Sequence, residues 1–178
     1  LTGFAGHDHG PLDGPGWLVV SHDRTLFVTD ARHFEAVKGA VTVAEAVKVE
    51  PPFLEGIVGV LRDLAPGRVG FEGNYLTYDI LQTLSRKLRR RHRFVPASGL
   101  VEGLRVVKDE DEIAAITRAV ELTDRAYAYV RAMLRPGLTE REVAWELERY
   151  MREHGAEGMA FEPAVAAGPH SAVPHHSP

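Results

Sequence analysis

The chain has no cysteine among its 178 residues. That absence excludes a disulfide framework, a thiolate nucleophile and a Cys-ligated zinc site. No run approaches the ~20 apolar residues of a membrane span, so no membrane partner is expected. A charge excess is lacking too: 21 basic and 25 acidic residues leave a net −4, which gives no general attraction to nucleic acid. No Gly-rich phosphate loop, serine nucleophile elbow or HExxH motif occurs. No secretory signal is visible, although the chain opens on Leu1 rather than Met. With no cysteine, the expected location is cytoplasmic.

What is present is the composition of a soluble globular protein, 44% hydrophobic and 26% charged. The length suffices for one ordinary domain or two small ones. Trp17–Val20 and Thr25–Thr29 read as strands joined by a turn at Ser21–Arg24. Leu54, Ile57, Val58 and Leu61 form a helical stripe that Pro66-Gly67 ends, and Arg68–Glu72 reads as a strand. Ile80, Leu81, Leu84 and Leu88 mark a second helix over Leu76–Leu88, followed by a short strand at Arg93–Val95. Alternating strand and helix make residues 1–100 an α/β unit. Five basic residues between Lys87 and Arg93 read as a helix C-terminus, where the backbone dipole favours cations, rather than as a nucleic-acid patch.

Residues 101–178 have a different architecture, with the boundary placed between Ser98 and Arg105. Asp109 and Glu112 have capping-box spacing, and Ile113, Ile116, Val120, Tyr127, Val130 and Leu134 mark one face of a long helix. Arg135-Pro136-Gly137 ends that helix. Thr139 and Glu142 are a second capping box, opening a helix with Val143, Leu147 and Met151 inward and Gly155 as its terminator. Phe161–Gly168 is expected to be an apolar strand leading into a Gly-Pro turn and a histidine-bearing loop. The acidic run Glu110-Asp111-Glu112 is explained by the first turn of a helix rather than by catalysis.

Adjacent residues of an extended chain point to opposite sides, so His175 and His176 do not readily share one metal. Two readings of this tail stand: a polar terminus, or a loop that delivers one imidazole to a reacting centre. His7-Asp8-His9 reads as a flexible polar loop rather than a metal site.

Glu102–Ile113 resembles the segment linking the two domains of prolidases and Xaa-Pro aminopeptidases. Leu134–Val143 is similar to the turn between the first two helices of their catalytic domain, and Phe161–Pro178 to their first active-site strand and loop. Upstream, Leu1-Thr2-Gly3-Phe4 and Thr29-Asp30-Ala31-Arg32 resemble signatures of the creatinase-like N-terminal domain. The resemblance runs in order along essentially the whole chain. It implies a creatinase-like α/β domain over 1–100 and the opening of a pita-bread catalytic domain over 101–178.

The implied activity is metal-dependent hydrolysis of Xaa-Pro bonds by a homodimer, with proline-containing peptides as substrates and two divalent ions (Mn, Co or Zn) as cofactors. The family's substrate-contacting, catalytic histidine falls on His175, and His176 matches a second, more variable substrate-side position. His170 stands where Asn is common, and Pro163 where Thr is. The family's opening strand and helix would precede Leu1. Its metal ligands, two Asp, one His and two Glu, would lie beyond Pro178, so the resemblance assigns no metal ligand to this chain and implies that it is inactive alone. Two other outcomes remain open: a non-catalytic pita-bread module that binds peptides or proteins, and a creatinase-like amidinohydrolase. The loop Gly6–Pro15 is expected to reach the partner's site in a dimer and to bring His7 or His9 to the substrate.

Overall fold

The computed structural model describes Phe4 and residues 10–178. The chain divides into two compact units, Leu1–Arg105 and Val106–Pro178.

In the first unit, β1 (Trp17–Val20) pairs antiparallel with β2 (Thr25–Thr29), placing Trp17 opposite Val28 and Val20 opposite Thr25. The intervening turn is closed by Ser21, whose Oγ donates to Asp23 at 2.9 Å and whose amide donates to the Arg24 carbonyl at 2.8 Å. The first helix, α1 (Phe34–Ala40), carries the chain to β3 (Glu45–Lys48), which pairs parallel with β2. Neither α1 nor β3 is legible in the sequence. The helix has seven residues, too short for a clear period, and β3 alternates only weakly.

Next come α2 (Phe53–Asp63), β4 (Gly67–Phe71), α3 (Tyr78–Leu88) and β5 (His92–Pro96), with β4 and β5 paired parallel. A parallel pair needs a crossover, and α3 is that crossover. The short α4 (Leu100–Arg105) closes the unit inside the stretch expected to be a linker. One core joins the β1–β3 sheet to both large helices. Leu26 and Val28 of β2 pack with Ile57, Val58 and Leu61 of α2 and with Ile80, Leu84 and Leu88 of α3. Burying each such side chain stabilises by roughly 1.5–3 kcal/mol. A cavity of about 940 Å³ lies between β1 and β4 and is floored by Leu61 and Leu84.

The basic run begins at the C-terminus of α3, where the dipole argument put it, with Lys87 in the last turn and Arg89 as C-cap, but it continues past the helix to Arg93 in β5. Arg86 and Lys87 occupy the last turn of α3, Lys87 pairs with Glu55 of α2 at 2.8 Å, and Arg91 donates to the Leu64 carbonyl. His92 within this run is buried, and its Nε2–H donates to the Leu61 carbonyl at 2.6 Å.

The second unit is built on α5 (Glu110–Met133) and α6 (Glu140–Glu153). Both open on reciprocal capping boxes: Asp109 with Glu112, and Thr139 with Glu142. Two expectations need correction here. The apolar face expected of α5 is not its packed face, since Ile113, Ile116, Val120 and Tyr127 are all more than half exposed. Burial falls on Leu122 and Ala126 instead, where α6 supplies a partner, with Val143 buried from α6.

Phe161–Gly168 is not a strand. It runs as irregular chain into a 3₁₀ turn at Gly168–Ala172. A strand needs a neighbour to take its amides and carbonyls, and among the described residues no ladder partner for it is paired. Phe161 itself is 79% exposed. No described helix is long and apolar enough to cross a membrane.

Candidate functional site

The histidine loop is held by the N-terminus of α6. The Thr139–Glu142 capping box satisfies the first turn, with Glu142 accepting from the Thr139 amide at 2.8 Å. Glu140 is therefore not needed as a cap, and its carboxylate is available to the loop. The Ala167 amide donates to Glu140 Oε1 at 2.6 Å. His170 Nδ1–H donates to both Glu140 oxygens at 2.9 Å, and His176 Nε2–H donates to Oε2 at 2.9 Å. The two imidazoles stack, with ring centroids 4.3 Å apart.

The bond from the Ala167 amide is the largest cause, followed by those from His170 and His176, of a Glu140 carboxyl held down at about 2 against an ordinary 4.5. Each donor favours the charged form. The loop repeats short backbone bonds between these anchors: the His170 amide to Ala167 O, Val173 to His170 O, and His176 to Val173 O. Ser171 Oγ donates to the Ala166 carbonyl at 3.2 Å.

His175 sits beside this anchor but outside it. It is exposed, and its φ of 57° makes it the one described non-glycine residue with positive φ. That conformation costs an L-residue roughly 1–2 kcal/mol. Strained backbone at a chemically able side chain is a recognised mark of functional positions. His176 turns the other way, its side chain only 19% exposed and bonded to Glu140. The geometry thus separates the two candidate residues, one presented outward and one used as an anchor. Gly6–His9, and with it the expected role of His7 or His9, lies outside the described residues. The adjoining Gly10–Gly14 forms a turn, closed by the Gly14 amide on the Gly10 carbonyl at 2.9 Å.

The Creatinase/Prolidase N-terminal domain family matches residues 1–107, and metallopeptidase family M24 matches residues 114–178. The chain belongs to the creatinase/prolidase family. An uncharacterised peptidase of Bacillus subtilis is 32% identical over 98% of this chain and 47% of its own length. Among solved structures, the Xaa-Pro dipeptidase from Bacillus anthracis matches with a TM-score of 0.80 at 32% identity, across 99% of this chain and 46% of that one. The X-Pro aminopeptidase from Thermotoga maritima matches with a TM-score of 0.75 at 31% identity, across 89% of this chain and 45% of that one. The chain spans about half the length of the curated relatives it matches.

Metallopeptidase family M24, matched by residues 114–178, implies divalent metal use in that family. A two-metal centre of two Asp, one His and two Glu does not fit the residues gathered here. Among the described residues, the cluster with metal-ligating character is Glu140, His170 and His176, whose donor atoms all lie within 4.8 Å of one another. This grouping was not legible in the sequence. Glu140 reads there as a helix N-terminal residue, and His170 lies 30 positions away. The one available signal was His170 itself, a further histidine in the loop that carries His175 and His176.

Proposed function

We propose that the protein is a metal-dependent hydrolase of Xaa-Pro bonds in which His175 hydrogen-bonds the bound peptide. The observation that carries this reading is His175 itself: an exposed imidazole on strained backbone, in a chain similar over 99% of its length to an Xaa-Pro dipeptidase. The substrate's proline nitrogen is a tertiary amide without an N–H, so recognition must fall on carbonyls and on ring shape. An imidazole N–H is suited to a peptide carbonyl, and more so to the oxyanion that the carbonyl becomes on attack by water. His176, tied to Glu140, fixes the direction in which its neighbour leaves the loop.

On this reading the cofactors are two divalent ions (Mn, Co or Zn), held by the part of the relatives that this chain does not span. The same reading carries a homodimer in the cytoplasm and a domain boundary between 100 and 101. It also carries a chain that is inactive without the metal ligands. Relatives bearing dipeptidase and aminopeptidase names both match, so either peptide length fits.

The test is turnover by the full-length gene product, supplied with Mn²⁺, Co²⁺ or Zn²⁺, on Xaa-Pro peptides and matched Xaa-Ala controls. Cleavage confined to Xaa-Pro and abolished by chelation is expected. His175→Ala should lower kcat by roughly 10²–10³-fold with a smaller change in KM. Equal cleavage of Xaa-Ala would overturn the reading. Peptide binding without turnover would indicate a non-catalytic module, and turnover of a guanidino substrate a creatinase-like enzyme.

A further inference from the structure

We propose that Glu140, His170 and His176 form a binding site for a single borderline divalent cation of the Zn²⁺ class. Two imidazoles and one carboxylate are the donor set of open zinc sites, which leave a fourth position to water. The three donor atoms already converge: His170 Nδ1 and His176 Nε2 each lie 2.9 Å from Glu140 Oε2. A tetrahedral ion with bonds near 2.0–2.1 Å needs donors about 3.3 Å apart. The cluster therefore has to open by only a few tenths of an ångström on the carboxylate edges. The stacked rings, 28° from parallel, also have to turn so that one nitrogen of each faces the ion.

Each imidazole must then carry its proton on the ring nitrogen away from the ion, Nε2 in His170 and Nδ1 in His176. The support around the ligands is present as well. Glu140 Oε1 is occupied by the Ala167 amide, which orients the carboxylate and leaves Oε2 for the ion. Glu140 and His176 are largely covered, at 16% and 19% exposure, while His170 is 55% exposed and provides the open side for entry and for the water ligand. The positive end of the α6 dipole opposes a cation, but that effect is screened and small beside three donor bonds.

A bound ion would clamp the loop from Ala167 to His176 onto α6, with His175 as the flanking residue whose direction is then fixed. That consequence rests on the proposed role of His175. The site itself does not, and it stands whether or not the protein cleaves Xaa-Pro bonds.

The experiment is titration of the 178-residue chain with Zn²⁺ by calorimetry, and with Co²⁺ by visible absorption. Excess Mg²⁺ is present in both, and circular dichroism checks the fold of every variant. One Zn²⁺ per chain and the visible bands of tetrahedral Co²⁺ are expected. Glu140→Gln, His170→Asn and His176→Ala should each weaken binding roughly tenfold or more, whereas His22→Ala should not. No saturable Zn²⁺ binding by the folded chain, or binding indifferent to folded His170→Asn, would overturn the proposal.

Discussion

At Gly56 in α2, an added Cβ would press on Val49, reaching both of its Cγ atoms at 2.8 Å. Val49 is itself buried in the main core, so neither side can give way cheaply. Gly56→Ala should therefore destabilise by about 1–3 kcal/mol through overpacking, despite the better helix propensity of alanine. Urea unfolding checks this, and an unchanged midpoint would mean that α2 is free to shift. Gly155 is the opposite case. Its φ of 101° terminates α6, as its place after His154 leads one to expect, and nothing packs where its side chain would be. Of the two glycines, the sequence makes only the terminator legible, because a cap follows local pattern while a close approach depends on what packs there.

The contact between α5 and α6 rests on a polar cluster as much as on apolar surface. Tyr129 Oη donates to Glu146 at 2.8 Å, and Arg149 donates to Glu146 at 2.6 Å and to Glu153 at 2.9 Å. Tyr129 and Tyr150 stack alongside, with ring centroids 4.6 Å apart. Arg149, and then Tyr129, hold the Glu146 carboxyl below its ordinary 4.5. A lowered carboxylate contributes stability that is fully present above 4.5 and is lost as pH falls through the lowered value. Stability of the second unit should accordingly fall below about pH 4.5, and Glu146→Gln should flatten that part of the profile. Urea midpoints measured from pH 6 to pH 3 on both proteins test it. Identical slopes would show that the cluster has no net role.

The capping boxes of both helices were legible because each is decided within four residues. The packed face of α5 was not. Its apolar residues outnumber the positions that α6 covers, and periodicity alone cannot say which of them find a partner.

Across the whole molecule the two units differ in depth of core. Among the described residues, the first gathers nine buried residues in one cluster, Val49 together with side chains of β2, α2 and α3, whereas the buried apolar residues of the second are Leu122, Ala126 and Val143. Local stability follows burial and hydrogen bonding, so amide exchange should be slowest in β2, α2 and α3 and fast in the exposed first three turns of α5. Mass-detected hydrogen exchange reads this directly, and equal protection of both regions would contradict it.

The sequence by itself determined β1, β2, α2, β4, α3 and β5 of the first unit and the two capped helices of the second, and its resemblance to known proteins pointed to the family. The elements follow from residue types at fixed local spacing, the family from likeness along the chain. Only the tertiary structure decided that Phe161–Gly168 is not a strand, because a strand exists only with a partner. Only it brought Glu140 to His170 and His176 while leaving His175 facing out, since that arrangement depends on where the loop returns to α6. Spacing along the chain carries no record of such a return.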